Sequence, residues 1–164
     1  MNAKLPPPVV MIIAGNDPSG GAGISADIQA VSALGGHPAP VLTALTVQDT
    51  RNAYRVDAVE AAMVAEQARA VMADLPVRAI KIGLLANSEI GEVVADLLAE
   101  HPAIPVVLDP VLVAAGGAAL AEEALVTTLI KRLLPAATLL TPNALEIRRL
   151  AGDAGDRDSR ARTL

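Results

Sequence analysis

The chain has 164 residues, 52% hydrophobic and 19% charged, the size and composition of one globular domain and not of a disordered chain. One aromatic residue in all, Tyr54, excludes the stacking platforms that bind single-stranded nucleic acid, and a net charge of −5 argues against any phosphate backbone as partner. The absence of cysteine excludes disulfides, thiolate metal sites and a cysteine nucleophile.

The first stretch carries one lysine and a short apolar segment broken by Pro6, Pro7 and Pro8, with no convincing signal peptide. No apolar run reaches the ~18 residues of a membrane span, so a soluble, cytoplasmic protein is the expectation. Val9–Ala14 is a continuous apolar, β-branched run, the mark of a strand buried on both faces. Behind it comes a loop with Gly15, Gly20, Gly21 and Gly23. Then Ile24, Ile28, Val31 and Leu34 repeat at helical spacing up to Gly35 and Gly36. Residues 40–47 (PVLTALTV) predict a second strand, closed by the polar run 48–52. Residues 56–59 are ambiguous, with a short edge strand as one reading. Residues 60–75 suit an alanine-rich helix, and 79–84 (AIKIGL) a third strand.

Ser88 is the expected cap of a helix through Glu100, with Ile90, Val93, Val94, Leu97 and Leu98 on one face. A fourth strand at 105–108 ends on Asp109 and Pro110. A glycine/alanine loop at 114–119 leads to a helix at 121–134, a fifth strand at 137–140 and a short helix from Asn143 to about Ala151. The polar tail at 153–164 is expected to be poorly ordered, or the first turns of one more helix. Strands alternating with helices predict an α/β fold: a mostly parallel central sheet with helices on both faces. In such sheets ligands sit at the carboxyl ends of the strands, where Asp17, Gln48, Asp109, Asn143 and Glu146 gather.

The glycine loop lies where a strand meets a helix N-terminus, a place suited to a small ligand. Gly15 and Gly20 have the spacing of a phosphate-binding P-loop, but Gly21 and Ala22 stand where that motif needs Lys and Ser/Thr. Residues 21–26 match the looser dinucleotide pattern G-x-G-x-x-A, yet begin too far past the strand. No acidic residue closes a second strand at the expected distance; Asp49, in a loop, comes nearest. A plain tight turn remains the bland alternative. Asn143-x-x-Glu146 has the form of a helix-capping pair. With Asp109 it also offers an Asp, an Asn and a Glu at two successive strand ends, a fair cradle for a hydrated Mg²⁺. His37 and His101 lack partners, and neither Ser19 nor Ser25 has a histidine nearby in sequence, so no hydrolase triad is supported.

The ordered segments AGNDPSGGAGISADIQAVSALGG, TALTVQDT, IKIGLL, VVLDPVLVA and LLPAATLLTPNALE resemble the bacterial hydroxymethylpyrimidine/phosphomethylpyrimidine kinases of thiamine biosynthesis, in the ribokinase-like superfamily. The resemblance covers residues 9–152. It implies transfer of the ATP γ-phosphoryl group to 4-amino-5-hydroxymethyl-2-methylpyrimidine and then to its monophosphate, with ATP and Mg²⁺ as cofactors and a homodimer as the assembly. Gly15, Asp27, Gln48 and Leu84 carry over as substrate contacts. Asp109, Asn143 and Glu146 fall on the family's Mg²⁺–phosphate region, with Asp109 and Glu146 as indirect metal partners. Lys81 matches a strand lysine that reads as structural as readily as functional. Two departures stand out. Ala115, Gly116, Gly117 and Ala118 replace a Lys-Ser-Gly-Asp segment, and Leu145 replaces a proline. The family also continues beyond this length, into a Gly-Thr-Gly-Cys-type motif that supplies the anion hole and catalytic base. By the resemblance, then, residues 1–164 form one incomplete domain, with no catalytic residue among them and little or no turnover. The alternatives are a non-catalytic pyrimidine-binding fragment and a relative of the pyridoxal kinases.

Overall fold

The computed structural model describes residues 6–112 and 122–151. The glycine/alanine loop with its Ala115 and Gly116 departure, and the tail at 153–164, lie outside the described residues.

β1 (Val9–Ala14) is an interior strand of the sheet, and its last four residues, Met11, Ile12, Ile13 and Ala14, are each 0% exposed. Successive side chains of a strand point to opposite faces, so such a run demands cover on both. β1 pairs in parallel with β2 (His37–Leu42) on one side and β5 (Val77–Ile82) on the other. β6 (Val106–Leu108) and β7 (Leu139–Leu140) extend the sheet in the order β2-β1-β5-β6-β7, again in parallel. The expected parallel α/β architecture is thus the one observed.

The expected single strand at 40–47 divides in two. After β2 the chain leaves the main sheet and forms an antiparallel ribbon of β3 (Ala44–Gln48) and β4 (Ala53–Ala58), which also absorbs most of the ambiguous segment at 56–59. The reason is a set of partners remote in sequence. Gln67 of α2 (Ala61–Asp74) accepts from the Leu42 N–H at 3.2 Å and donates to the Leu42 carbonyl at 3.4 Å. Thr43, fully buried, donates through Oγ1 to the Leu84 carbonyl at 2.5 Å and through its N–H to Ala14 at 3.0 Å, and accepts from Val59 at 2.8 Å. Every polar group of that residue is satisfied in the turned-out position, which offsets the lost sheet pairing.

α1 (Gly23–Ala33) lays Ile24, Ile28 and Val31, half-buried, along β1 and β2, and ends at Gly35, whose φ is +80°. Leu34, expected on the apolar face, is 89% exposed at the helix end. α3 (Ser88–Glu100) buries Ile90, Val94, Leu97 and Leu98 as its period predicts. Its cap is Asn87 instead of Ser88. The Asn87 Oδ1 accepts from the Ile90 N–H at 2.9 Å, while Ser88 donates its N–H and hydroxyl to Glu122. Both residue types cap well, so local pattern does not choose between them.

The helix expected at 121–134 is irregular: α4 (Glu123–Thr128), a π turn over Leu129–Leu133 and a 3-10 turn over Leu134–Ala136. Pro135, with no N–H to donate, accounts for the change at its end. The π turn carries Arg132 to Glu92 and, at 2.8 Å, to Asp96 on α3. α3 and α4 approach closely at Gly91, where a Cβ would stand 2.9 Å from Leu125 Cδ1 and 3.3 Å from Thr128 Cγ2. Gly91→Leu is therefore expected to lower stability by about 1–3 kcal/mol through overpacking. Urea denaturation checks this, and an unchanged midpoint would mean that the two helices part without cost. α5 (Ala144–Ala151) closes the described chain.

Candidate functional site

The carboxyl ends of β1, β5 and β6 and the side of the β3–β4 ribbon enclose a cavity of about 370 Å³. The loop between β1 and α1 forms one wall, and its shape is set by backbone bonds. The Gly15 carbonyl accepts from the Ile24 N–H at 2.9 Å, and Asn16 donates its N–H to Ala44 at 2.8 Å. Thr46 Oγ1 donates to the Asn16 carbonyl at 2.7 Å, clamping the ribbon to the loop. Gly23 has φ +55°, and a Cβ there would collide with the Gly15 carbonyl oxygen. Only glycine combines that dihedral with that approach.

Asp17 is the loop's buried acid, 4% exposed. Its Oδ1 accepts from the Ser19 N–H at 2.8 Å and the Ser19 hydroxyl at 2.7 Å. Burial pushes the carboxyl up. Donation from Ser19, from the Ala22 N–H and from the Gln48 side-chain amide outweighs that push and holds the group below the usual aspartate range. It is therefore an anion inside the cavity at neutral pH. Its bonds stabilise the fold above the ordinary aspartate pKa, and that stabilisation is lost as pH falls through the depressed value.

Of the residues expected at the site, Gly15, Gln48, Leu84 and Asp109 line the cavity. Asp27 is not among the lining residues. It sits one layer behind, where its Oδ2 accepts from Lys81 Nζ at 2.7 Å, with the two side chains 21% and 23% exposed. Lys81 does line the cavity, beside Gly83. Asp109 ends β6. Burial pushes its carboxyl above the usual range; Lys81 opposes this, and the carboxylates of Glu146 and Asp27 add to it. Two further carboxylates, behind the cavity wall, and the Lys81 ammonium, on it, thus bear on Asp109.

Asn143 and Glu146 are not among the lining residues either, and they form a reciprocal capping pair. Asn143 Oδ1 accepts from the Leu145 and Glu146 N–H groups at 2.9 and 3.0 Å, and Glu146 Oε2 accepts from the Asn143 N–H at 2.8 Å. Glu146, 3% exposed, also accepts from the Leu112 N–H through Oε1 at 3.4 Å, tying α5 to the chain beyond β6. The described residues contain no cluster of three or more potential metal-ligating side chains. Mg²⁺ needs no such cluster, because it keeps most of its waters and takes one or two carboxylates. Asp109, facing the cavity, fits that requirement; Glu146 has both oxygens in hydrogen bonds.

Sequence reasoning passed over the tip of the ribbon. Thr46 and residues 49–53 also line the cavity. Asp49 accepts from the Arg51 and Asn52 N–H groups through Oδ1 and from the Tyr54 hydroxyl through Oδ2, so its side chain holds the turn together. The available signal was the polar run 48–52 at a strand end, legible as a loop but not as a wall. His37 and His101 are not among the lining residues.

A parallel sheet carries a glycine loop, three aspartates and a lysine around a cavity at its strand ends, the usual place of a small-ligand site in an α/β fold, and its structural neighbours make that fold ribokinase-like. Solved structures agree. The phosphomethylpyrimidine kinase of Clostridium difficile superposes with a TM-score of 0.83 at 34% identity, over 96% of this chain and 68% of that one. A pyridoxal kinase of Bacillus subtilis, solved with ADP, gives 0.81 at 26% identity, over 96% and 59%. The phosphomethylpyrimidine kinase family model matches residues 17–164, and the chain belongs to that family. The hydroxymethylpyrimidine/phosphomethylpyrimidine kinase of Synechococcus elongatus is 45% identical over 161 residues. That match takes in 96% of this chain and 61% of the relative, so the chain spans less than two thirds of that protein.

Proposed function

We propose that this chain forms the pyrimidine-binding part of a kinase that phosphorylates 4-amino-5-hydroxymethyl-2-methylpyrimidine and its monophosphate at the expense of ATP. The observation that carries the reading is Gln48 on the wall of the cavity that Gly15 and apolar Leu84 also line. Its amide both donates and accepts, the complement of a ring nitrogen next to an exocyclic amine. Leu84 offers the ring an apolar face, and Gly15 lets the backbone come close. Asp27 acts from behind, through Lys81. Bound Mg²⁺ would neutralise phosphate charge, with Asp109 as its carboxylate and the Asn143–Glu146 pair as the brace of the neighbouring backbone. A cytoplasmic homodimer goes with the same reading, and the exposed Leu45, Val47 and Tyr54 of the ribbon support an intersubunit contact.

Calorimetry with the pyrimidine tests the proposal. Gln48→Ala removes two hydrogen bonds and is expected to weaken binding by about 100-fold. Unchanged affinity would overturn it. The likeness to the Bacillus subtilis pyridoxal kinase favours one rival ligand, pyridoxal. Competition by pyridoxal at equal affinity would decide for that reading.

A further inference from the structure

Leu84, just beyond the end of β5, is held through its backbone and through its side chain. Its carbonyl accepts from Thr43 Oγ1 at 2.5 Å, and the residue before it, Gly83, donates its N–H to the Ile13 carbonyl at 2.8 Å. Thr43 is fully buried. Its N–H donates to Ala14 and its carbonyl accepts from Val59, which leaves the hydroxyl for Leu84. Beyond Leu84 the chain turns through Ala86, whose φ of +68° is left-handed, a conformation that alanine keeps only where its surroundings over-determine it. The side chain has a seat of its own. A Cβ on Gly15 would stand 3.0 Å from Leu84 Cδ2, and 3.6 Å from both the Ala44 Cβ and the Ala44 carbonyl oxygen. Gly15 has no positive φ, so its dihedrals do not demand glycine; the space does. Leu84 fills the room that a side chain at position 15 would need, and it also lines the cavity.

We propose that Thr43 and Gly15 are positioning residues that seat Leu84 back against the glycine loop and thereby set how much room the cavity leaves for a ring. The inference rests on the proposed pyrimidine reading and deepens it. Thr43 acts on the backbone of Leu84 and Gly15 on its side chain. Without the hydroxyl, the Leu84 carbonyl loses the bond that fixes it, and the segment that carries the side chain is free to shift. A methyl group at position 15 would press on Cδ2 directly. Packed interiors have no spare volume, so the displaced side chain moves toward the open space it already borders, the cavity. Either change narrows the cavity without removing any group that touches the ligand's polar edge. The effect is large for a small shift, because a single methylene in an apolar pocket changes affinity by about tenfold or more.

Calorimetry with 4-amino-5-hydroxymethyl-2-methylpyrimidine tests the seat on the native chain, Gly15→Ala, Leu84→Val and the double variant. Gly15→Ala alone is expected to weaken binding by about tenfold. On the Leu84→Val background, where Cδ2 is gone, the same change is expected to weaken it by less than about twofold. A tenfold loss on both backgrounds would mean that glycine at position 15 serves the ligand directly, and would overturn the seat; so would no loss on either. Thr43→Val keeps the shape and removes only the hydroxyl. It is expected to weaken binding by about 5- to 10-fold, and Thr43→Ser, which keeps the hydroxyl, to stay within about twofold of the native chain. Native affinity in Thr43→Val would overturn the part given to Thr43. Should these variants fail to fold, NMR of the ligand-free native chain decides. A cross-peak between a Leu84 methyl group and the Gly15 α-protons is expected, with a Thr43 hydroxyl proton protected from exchange; a missing cross-peak or a freely exchanging hydroxyl overturns the inference. Native chain that binds no pyrimidine would overturn the proposed function instead, and the NMR measurement would still decide the seat.

Discussion

Gly23→Ala is expected to destabilise the fold by about 2–4 kcal/mol and to abolish ligand binding in the cavity. Two costs add. An alanine at φ +55° carries left-handed strain of roughly 1–2 kcal/mol. Its Cβ would also displace the Gly15 carbonyl, which accepts the Ile24 N–H that opens α1, and an orphaned buried group costs about 1–3 kcal/mol. For a chain of this size each kcal/mol lowers Tm by about 2–4 °C. Gly20→Ala is the matched control. Its φ is +78°, yet nothing lies within 4 Å of the added Cβ, so only the strain remains. A thermal melt in which both variants lose the same few degrees would remove the close approach at Gly15 as the reason for glycine at position 23.

That pair of glycines also marks how far the sequence carries. Four glycines after an apolar run announce a special loop, but not which one meets a carbonyl. The central sheet is legible because β1 is apolar at every position and the helices keep their period. The turn of the chain at Thr43 is not legible, since it depends on Gln67 and Leu84, 24 and 41 positions away by their numbering. The same holds for the ion pair of Asp27 with Lys81, which are 54 positions apart. The Asn143–Glu146 pair offered two readings, cap and metal region, and the side-chain hydrogen bonds it makes among the described residues belong to the capping network or to the Leu112 backbone. Asp17 was visible as a residue but without a role, because its burial and its two bonds from Ser19 depend on how the loop folds.

Lys81→Met is expected to cost about 2 kcal/mol, between the value of an exposed ion pair and the larger loss when a buried charge is left alone. Lys81 and Asp27 are both under a quarter exposed, so solvent screens the pair only in part. Without the ammonium, Asp27 and Glu146 bear on Asp109 without that compensating charge. Lys81 holds Asp109 down against burial, Glu146 and Asp27, so its removal raises Asp109 further. The sign follows from that direction. A carboxyl with a raised folded pKa costs nothing where it is protonated in both states, and stability is lost as pH rises through the folded value. Lys81→Met should therefore fall further behind the native chain at about pH 8 than at about pH 5. The double variant Lys81→Met with Asp27→Leu removes both charges and is expected to recover most of the loss, since apolar replacement of a buried pair is close to neutral. If stability and pyrimidine binding recover together, Lys81 serves the fold; if stability recovers and binding does not, Lys81 serves the ligand. A single variant as stable as the native chain at both pH values would mean that the pair contributes to neither.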